Sequence, residues 1–221
     1  LSTVDSGADI TTITPGLIHL TLGSIDLTAA GNIVYFSTND AIMVDTGVAL
    51  TAGTDLTEPE GNITLSAHLT VTFADNVIID AGSKNANGTV LIRSGQNPLA
   101  GQTKNDGDSP HDIIVGTGSN FNAHGGDVIF EAPDGTLTIG DSSDVIATHD
   151  VKMTVEGAIS TGGAIVPGRF LDVITGENAS DPTSPAADDT IEGSFTQTVS
   201  GIIDVNNSLI IGPATALDSN I

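Results

Sequence analysis

Residues 61–81 show a regular alternation of apolar and polar side chains. The apolar positions are Ile63, Leu65, Ala67, Leu69, Val71 and Phe73, followed after Asp75 by Val77, Ile79 and Ala81. A period of two predicts β-strands that have one buried and one solvated face. The run is long for a single strand, so we expect two strands joined by a bend at residues 74–76.

The same alternation recurs along the chain at the spacing of a repeat protein. First strands of successive units are predicted at residues 31–37, 61–66, 88–94, 127–132 and 151–155. Weaker second strands, each opening with a polar turn, are predicted at residues 40–52, 75–83, 111–119 and 141–150. Periods of about 20–50 residues indicate stacked supersecondary units. Helical periodicity is almost absent, so the chain is predicted to be all-β.

Two segments interrupt the strand pattern. Residues 94–112 read as a loop that leaves the side of the repeat array. Residues 176–190 combine prolines with small polar and acidic residues, which is typical of a loop or linker. We therefore divide the chain into a β-solenoid at 1–175, a Pro- and Asp-rich linker at 176–190, and terminal strands at 191–221 that complete or extend the solenoid.

The composition favours a narrow aliphatic core. Hydrophobic residues make up 38 % of the 221 residues, whereas aromatic residues make up only 3 % and tryptophan is absent. A sandwich usually fills the space between its sheets with bulky rings. A core of Val, Ile, Leu and Ala suits a regular tube better. The chain has no cysteine, so neither disulfides nor thiolate chemistry contribute.

Several of these stretches resemble the repeats of filamentous-haemagglutinin-type exoproteins. The resemblance is carried by GNITLSA at 61–67, DNVIIDAGSKNANG at 75–88 and GSNFNAHGGDVIFEAPDGTLTI at 118–139, and it spans residues 15–160. Proteins of that family are right-handed parallel β-helices that bacteria secrete. The resemblance implies a right-handed parallel β-helix (solenoid) with loop insertions, located outside the cell or on its surface. It transfers no catalytic residue, because the repeats of that family have none.

The physics of a parallel β-helix agrees with this resemblance. Equivalent strands stack about 4.8 Å apart, so like side chains stack on like and the core becomes aliphatic. Bends use Gly, Asn and Asp, as in residues 83–88. The alternative fold is an antiparallel β-sandwich or jelly roll. That fold needs tight hairpins, and only residues 132–135 (APDG) suggest one.

The formal charge of −23 limits the partners of the chain. Nucleic acid is excluded because its binding requires clustered Lys or Arg, and anionic membranes are disfavoured for the same reason. No apolar run approaches the roughly 20 residues that span a bilayer, so membrane insertion is not expected. The chain begins at Leu1 without Met, as expected of a processed mature form or an excised piece.

One acidic loop is a candidate cation site. Asp106, Asp108 and Asp112 lie close together in sequence, with a glycine between the first two. Hard oxygen ligands on a loop suit Ca²⁺, which would be the only cofactor. The alternative interpretation is a solvated acidic loop. The five histidines are scattered, with no spacing typical of zinc or of catalysis.

An enzyme is the least favoured function class. Polysaccharide-degrading β-helices need paired carboxylates and a basic group in a groove. The chain has five Lys and Arg residues in all. Among them Arg93 lies in a predicted strand, where pairing with a neighbouring Asp is the favoured interpretation. An anionic substrate would also meet a repelling surface.

The sequence therefore predicts an extracellular structural protein, a filament or sheath subunit that self-assembles. Its last residues are still strand-like and no capping helix is evident, so open sheet edges invite pairing between subunits. The alternative is the stalk of a large bacterial adhesin, whose loops at 94–112 and 176–190 contact glycans or cell-surface proteins. The second alternative is the polysaccharide-degrading β-helix.

Overall fold

The computed structural model describes residues 9–21, 27–57, 60–84, 87–95 and 111–175, and the backbone of residues 195–197, 202–203 and 208–213. In chain order the strands are β1 (Ile10–Thr14), β2 (Ile18–Leu20), β3 (Leu27–Thr28), β4 (Ile33–Ser37), β5 (Ile42–Val44), β6 (Ala49–Thr51), β7 (Ile63–Ala67), β8 (Val71–Phe73), β9 (Ile78–Ala81), β10 (Gly88–Arg93), β11 (Ile113–Val115), β12 (Asn120–Ala123), β13 (Gly125–Ala132), β14 (Leu137–Ile139), β15 (Asp144–Ala147), β16 (Val151–Val155), β17 (Ile159–Thr161), β18 (Ala164–Pro167), β19 (Phe170–Thr175), β20 (Phe195–Gln197), β21 (Ile202–Ile203) and β22 (Ser208–Pro213). These described segments contain no helix that could cross a bilayer.

The strands form three parallel sheets that the chain visits in turn. The first sheet has eight strands in the order β1-β4-β7-β10-β13-β16-β19-β22. The second and third sheets have seven strands each, β2 to β20 and β3 to β21, again in steps of three. Every strand pair in the described residues is parallel, as in β1–β4, β2–β5 and β3–β6. The antiparallel sandwich or jelly roll is therefore wrong, because those folds are built from antiparallel neighbours.

The repeating unit contains three strands, one for each sheet, and we call such a set a rung. The prediction of two strands in each unit is wrong. Residues 61–81 form the complete third rung, β7, β8 and β9. The predicted bend at 74–76 is confirmed between β8 and β9, where Asn76 has a φ of 58°. The alternation does not reveal a second corner at residues 68–70, because the apolar positions continue through it at Leu69.

The turn at residues 132–135 is real but does not form a hairpin. The Gly135 N–H donates a hydrogen bond to the Ala132 carbonyl at 3.0 Å, which closes a four-residue turn. The turn joins β13 of the first sheet to β14 of the second. The chain thus changes sheets there and does not reverse within one sheet.

The last three strands extend the sheets. Strands β20, β21 and β22 pair in parallel with β17, β18 and β19 of the preceding rung. Much of the predicted loop at 94–112 and all of the predicted linker at 176–190 lie outside the described residues. The division of the chain into a solenoid, a linker and terminal strands therefore stays a prediction.

The core is shared by all three sheets. Phe73 of the second sheet, Phe121 of the third and Phe130 of the first meet as edge-to-face rings. Their centroids are 5.1 Å apart for Phe73–Phe121 and 5.4 Å apart for Phe121–Phe130. Around them the buried side chains form one hydrophobic cluster. Like stacks on like along the first sheet, where one register row reads Ile33, Ile63, Val90, Val128, Val151 and Leu171.

Candidate interaction surfaces

A row of polar side chains connects successive rungs at the start of the first-sheet strands. We call it the side-chain ladder, and its members are Asp9, Asn32, Asn62, Thr89, Asp127 and Asp150. In each member except the last, Asp150, the side-chain oxygen accepts a hydrogen bond from the backbone N–H of the member in the next rung. The N···O distances along the ladder are 2.7, 2.8, 2.9, 3.5 and 3.1 Å. The ladder thus satisfies backbone donors at the points where the strands begin.

The sequence contains a local signal for this ladder. A glycine precedes the ladder residue in four rungs, at Gly31, Gly61, Gly88 and Gly126. A Cβ atom added at Gly88 would lie 2.2 Å from the backbone nitrogen of Gly82, so the chain needs glycine at that close approach. The motif Gly–Asx/Thr–aliphatic therefore marks the start of a first-sheet strand.

The last rungs of the ladder carry an ion-pair network. The Lys152 Nζ lies 2.6 Å from Asp127 Oδ2 and 3.8 Å from Asp150 Oδ2. Arg169 donates two hydrogen bonds of 3.1 Å to the two carboxylate oxygens of Asp150. These contacts join three successive rungs on the outer surface.

Two pKa values respond to this network. Burial acts to raise the pKa of Asp127, but the hydrogen bond from Lys152, the N–H of Asp150 and the lysine charge outweigh it and hold that pKa below its usual value. The hydrogen bond to Asp127 raises the pKa of Lys152. Both shifts favour the charged pair.

Arg93 also forms an ion pair between rungs. It lies on β10 in register with Glu131 on β13. The Glu131 Oε2 atom lies 2.6 Å from Arg93 Nε and 2.5 Å from Nη2. The acidic partner of Arg93 is thus a glutamate, whereas the sequence favoured an aspartate. Arg93 is the basic residue that the enzyme hypothesis required, and in the structure its guanidinium is paired with Glu131.

Two exposed histidines make similar contacts between rungs. His19 Nε2 lies 2.9 Å from Asp45 Oδ1, and His124 Nε2 lies 2.8 Å from Asp80 Oδ1. Each pair joins neighbouring rungs on the outer surface. Sequence analysis could not find these partners, because 26 and 44 residues separate them.

The structure also brings two other histidines together. The rings of His68 and His111 lie edge to face with centroids 6.0 Å apart, at the corner between the first and second sheets. Two imidazoles supply only half of the four ligands that a structural zinc ion requires. Among the described residues, no group of three or more His, Cys, Asp or Glu side chains is placed to hold a metal ion.

Asp112 of the candidate calcium loop has a structural contact of its own. Its Oδ1 atom accepts hydrogen bonds from the Thr136 N–H at 2.9 Å and from the Thr136 hydroxyl at 2.8 Å. Asp112 therefore fastens its rung to the next one. Asp106 and Asp108 lie outside the described residues, so the calcium site stays a prediction.

The first strand presents a sheet edge. The Ile10 N–H donates to the Asn32 carbonyl at 2.8 Å, and the Thr14 carbonyl accepts from the Thr38 N–H at 2.8 Å. Backbone direction alternates along a strand, so the N–H groups of Thr11 and Ile13 face away from β4. Among the strands that the structure describes, β1 lies at one end of the first sheet. Its outer side pairs with none of the described strands.

Comparison with known proteins found no relative of this chain. No family model, curated protein or solved structure matches the chain. The resemblance to filamentous-haemagglutinin-type repeats therefore stays a prediction, and the function has to be argued from the geometry.

Proposed function

We propose that this chain is a right-handed parallel β-helix that serves as an extracellular structural protein of the bacterial surface. It self-assembles into a filament or sheath by end-to-end β pairing. The steps of three in all three sheets support a coil, and crossovers between parallel strands are right-handed in about 98 % of known cases. The shared aliphatic core supports a rigid, stacked body.

The observation that carries the proposal is the edge of β1. A terminal strand whose N–H and C=O groups face outward is a template for another strand. All the described strand pairs run in parallel, so the first and last described strands of a sheet present different, complementary edges. Contacts between two different surfaces of identical copies propagate as a filament when they do not close into a ring.

Thr11→Pro tests this proposal. Because the Thr11 N–H faces away from β4, proline removes an edge donor without removing a hydrogen bond to β4. We expect T11P to retain its circular dichroism spectrum and thermal midpoint but to lose filaments in negative-stain electron microscopy. T11V, which keeps the N–H, is the matched control and should assemble like the natural chain.

Two results would contradict the proposal. One is a natural chain that stays as short monodisperse particles at high concentration, which would favour the adhesin stalk. The other is T11P assembling as well as T11V, which would exclude the edge of β1 from the interface. T12P reports on the fold, because the Thr12 N–H faces β4 and its loss should lower the thermal midpoint.

A further inference from the structure

The outer face of the first sheet carries a group of apolar side chains across β1, β4, β7, β10 and β13. Two outer rows cross these strands and keep their register from one rung to the next. Thr64 lies at the centre of one row, in register with Val34 and Leu91. We call the following residues the apolar face: Ile13, Val34, Phe36, Thr64, Leu91 and Ile129. Ile13 is 51 % exposed, and the others are half-buried.

This face is poor in carboxylates, although the chain carries a formal charge of −23. The two outer rows of β1, β4, β7 and β10 contain no Asp or Glu. Glu131 on β13 is the first acidic residue in these rows, and its carboxylate is paired with Arg93. The outer face of the third sheet, by contrast, includes Asp80 and Asp144. A molecule of like charge therefore meets less repulsion at the first sheet than at the third.

A second copy of this chain matches the apolar face in both charge and spacing. Parallel strands repeat about every 4.8 Å, so their outer side chains form rows at that spacing. Another first sheet has the same repeat, so the side chains of two copies can interdigitate along the whole contact at a sheet separation of about 10 Å. A basic partner would instead be attracted to the acidic surfaces elsewhere on the chain.

The charged strands of the first sheet determine the orientation of such a pair. Lys152 and Asp172 occupy the outer row of β16 and β19, beyond the apolar face. A two-fold axis at Thr64 that reverses the stacking direction places β1 of one copy opposite β13 of the other, and β4 opposite β10. Lys152 and Asp172 then stay in water. With parallel stacking directions, each of these charges would lie opposite its own equivalent, at a cost in like-charge repulsion.

Two carboxylates of the side-chain ladder lie at the rim of the reversed arrangement. Asp9, before β1, falls on the same side as Asp127, before β13, of the second copy. Each already has a partner, because Asp9 accepts the Asn32 N–H at 2.7 Å and Asp127 lies 2.6 Å from Lys152 Nζ. Charges at the solvated rim of an interface are screened by salt, so they permit the contact.

We propose that two copies pack through their apolar faces, with opposite stacking directions and Thr64 at the two-fold axis. Five strands, each about 17 Å long and about 4.8 Å apart, give a contact of roughly 400 Å² per copy. A standard interface buries about 800 Å² per partner, so the isolated pair is weak. Aligned copies add their contacts, which makes lateral association stable in a filament. The pair itself does not require end-to-end assembly, whereas its stabilisation in filaments rests on the proposed function.

Charges introduced at Thr64 test the pair. T64E places two carboxylates near each other at the axis and T64K places two ammonium groups there, whereas a mixture of the two variants brings opposite charges together. T138E adds the same charge to the exposed outer row of the second sheet and is the matched control. All proteins carry T11P to prevent filaments, and circular dichroism verifies their fold. Sedimentation equilibrium then measures the dissociation constant of each pair.

We expect the dissociation constant of T64E to exceed that of T138E by about 10-fold or more, because like charges in an interface cost several times the thermal energy. The mixture of T64E and T64K should bind about 10-fold more tightly than T64E alone. Equal constants for T64E and T138E, or a mixture that binds no more tightly than its components, would overturn the inference and leave the apolar face to a different partner.

A second pair of variants tests the orientation and leaves Thr64 unchanged. Opposite stacking directions place Val34 of one copy across from Leu91 of the other, so V34K mixed with L91E should associate more tightly than either protein alone. A gain in the mixture of V34K with V34E instead would show parallel stacking directions and overturn the proposed orientation.

Electron microscopy separates this inference from the proposed function. Filaments of the natural chain should lie side by side in pairs, whereas T64E filaments, without T11P, should be single. T64E filaments that remain paired would overturn the inference and leave the proposed function intact. A natural chain that forms no filaments would remove the proposed function, while the dissociation constants would still decide whether the pair exists.

Discussion

The side-chain oxygen of Asn62 accepts a hydrogen bond from the backbone N–H of Thr89 at 2.9 Å, across 27 residues of sequence. The backbone N–H of Asn62 donates in turn to Asn32 at 2.8 Å. One asparagine thus connects three rungs and fixes their register. Register matters here because a slip by one residue would move a whole buried row to the outer face.

Asn62→Ala should destabilise the protein by about 1–3 kcal/mol, because the Thr89 N–H loses its acceptor. Urea unfolding followed by circular dichroism measures the change. T64A, on the outer face of the same strand, should change the free energy of unfolding by less than about 0.5 kcal/mol. Equal effects of the two substitutions would show that the ladder contact does not contribute.

Phe121→Ala should cost about 3–5 kcal/mol, because it empties the place where rings from three sheets meet. The same change at Phe36, a half-buried residue on the outer face of the first sheet, is the matched control. We expect the loss at Phe121 to be at least twice that at Phe36. Similar losses, measured by thermal unfolding, would argue against a core common to the three sheets.

Lys152→Met should reduce the pH dependence of stability at both extremes. The lowered pKa of Asp127 gives stability that is present above pH 3.8, the unfolded value, and is lost as pH falls below it through the folded-state pKa. The raised pKa of Lys152 gives stability that is present below pH 10.5 and is lost as pH rises through the folded-state pKa above it. Without the lysine, its own contribution disappears, and that of Asp127 decreases to what the Asp150 N–H and His149 provide.

Urea midpoints measured across both pH windows check this prediction. K84M removes the same charge from an exposed position and should change the pH dependence far less, because Lys84 is the smallest of the causes that lower the pKa of Asp55. A K152M profile that runs parallel to the natural one in both windows would rule out a contribution from the ion pair.

Assembly should accelerate with ionic strength. A formal charge of −23 makes the copies repel each other, and salt shortens the range of that repulsion from about 10 Å at 0.1 M to about 3 Å at 1 M. Light scattering in increasing sodium chloride measures the rate. T11P is the control, since it should stay unassembled at every salt concentration. A rate that falls with salt would mean that attraction between charges drives association.

Calcium binding should depend on Asp106 and Asp108. The double variant D106N/D108N should lose most of the calcium-binding heat in titration calorimetry, because both carboxylates are hard ligands for this ion. Asp112 is left unchanged because it holds Thr136, so its loss would also disturb the fold. D144N, on the outer face of the third sheet, is the control. A chelator that leaves natural filaments intact would separate calcium binding from assembly.

The sequence alone determined five of the eight strands of the first sheet. The predicted first strands at 31–37, 61–66, 88–94, 127–132 and 151–155 correspond to β4, β7, β10, β13 and β16. An alternation over five or more residues predicts a strand from its own sequence, without knowledge of the strand that pairs with it. The aliphatic composition and the scarcity of helical periodicity also pointed correctly to an all-β chain.

Only the tertiary structure decided how many strands form a rung and which residues meet. The second-sheet strands β5 and β8 have three residues each, which is too short for an alternation to mark where a strand begins and ends. The alternation of β7 therefore runs on through the corner at 68–70 into β8 without a visible break. The partners of Arg93, His19 and His124 lie one rung away. The number of residues between the partners depends on the lengths of the loops in each rung, so the local sequence pattern does not predict which residues pair. The parallel stacking of rungs brings these partners within hydrogen-bond distance.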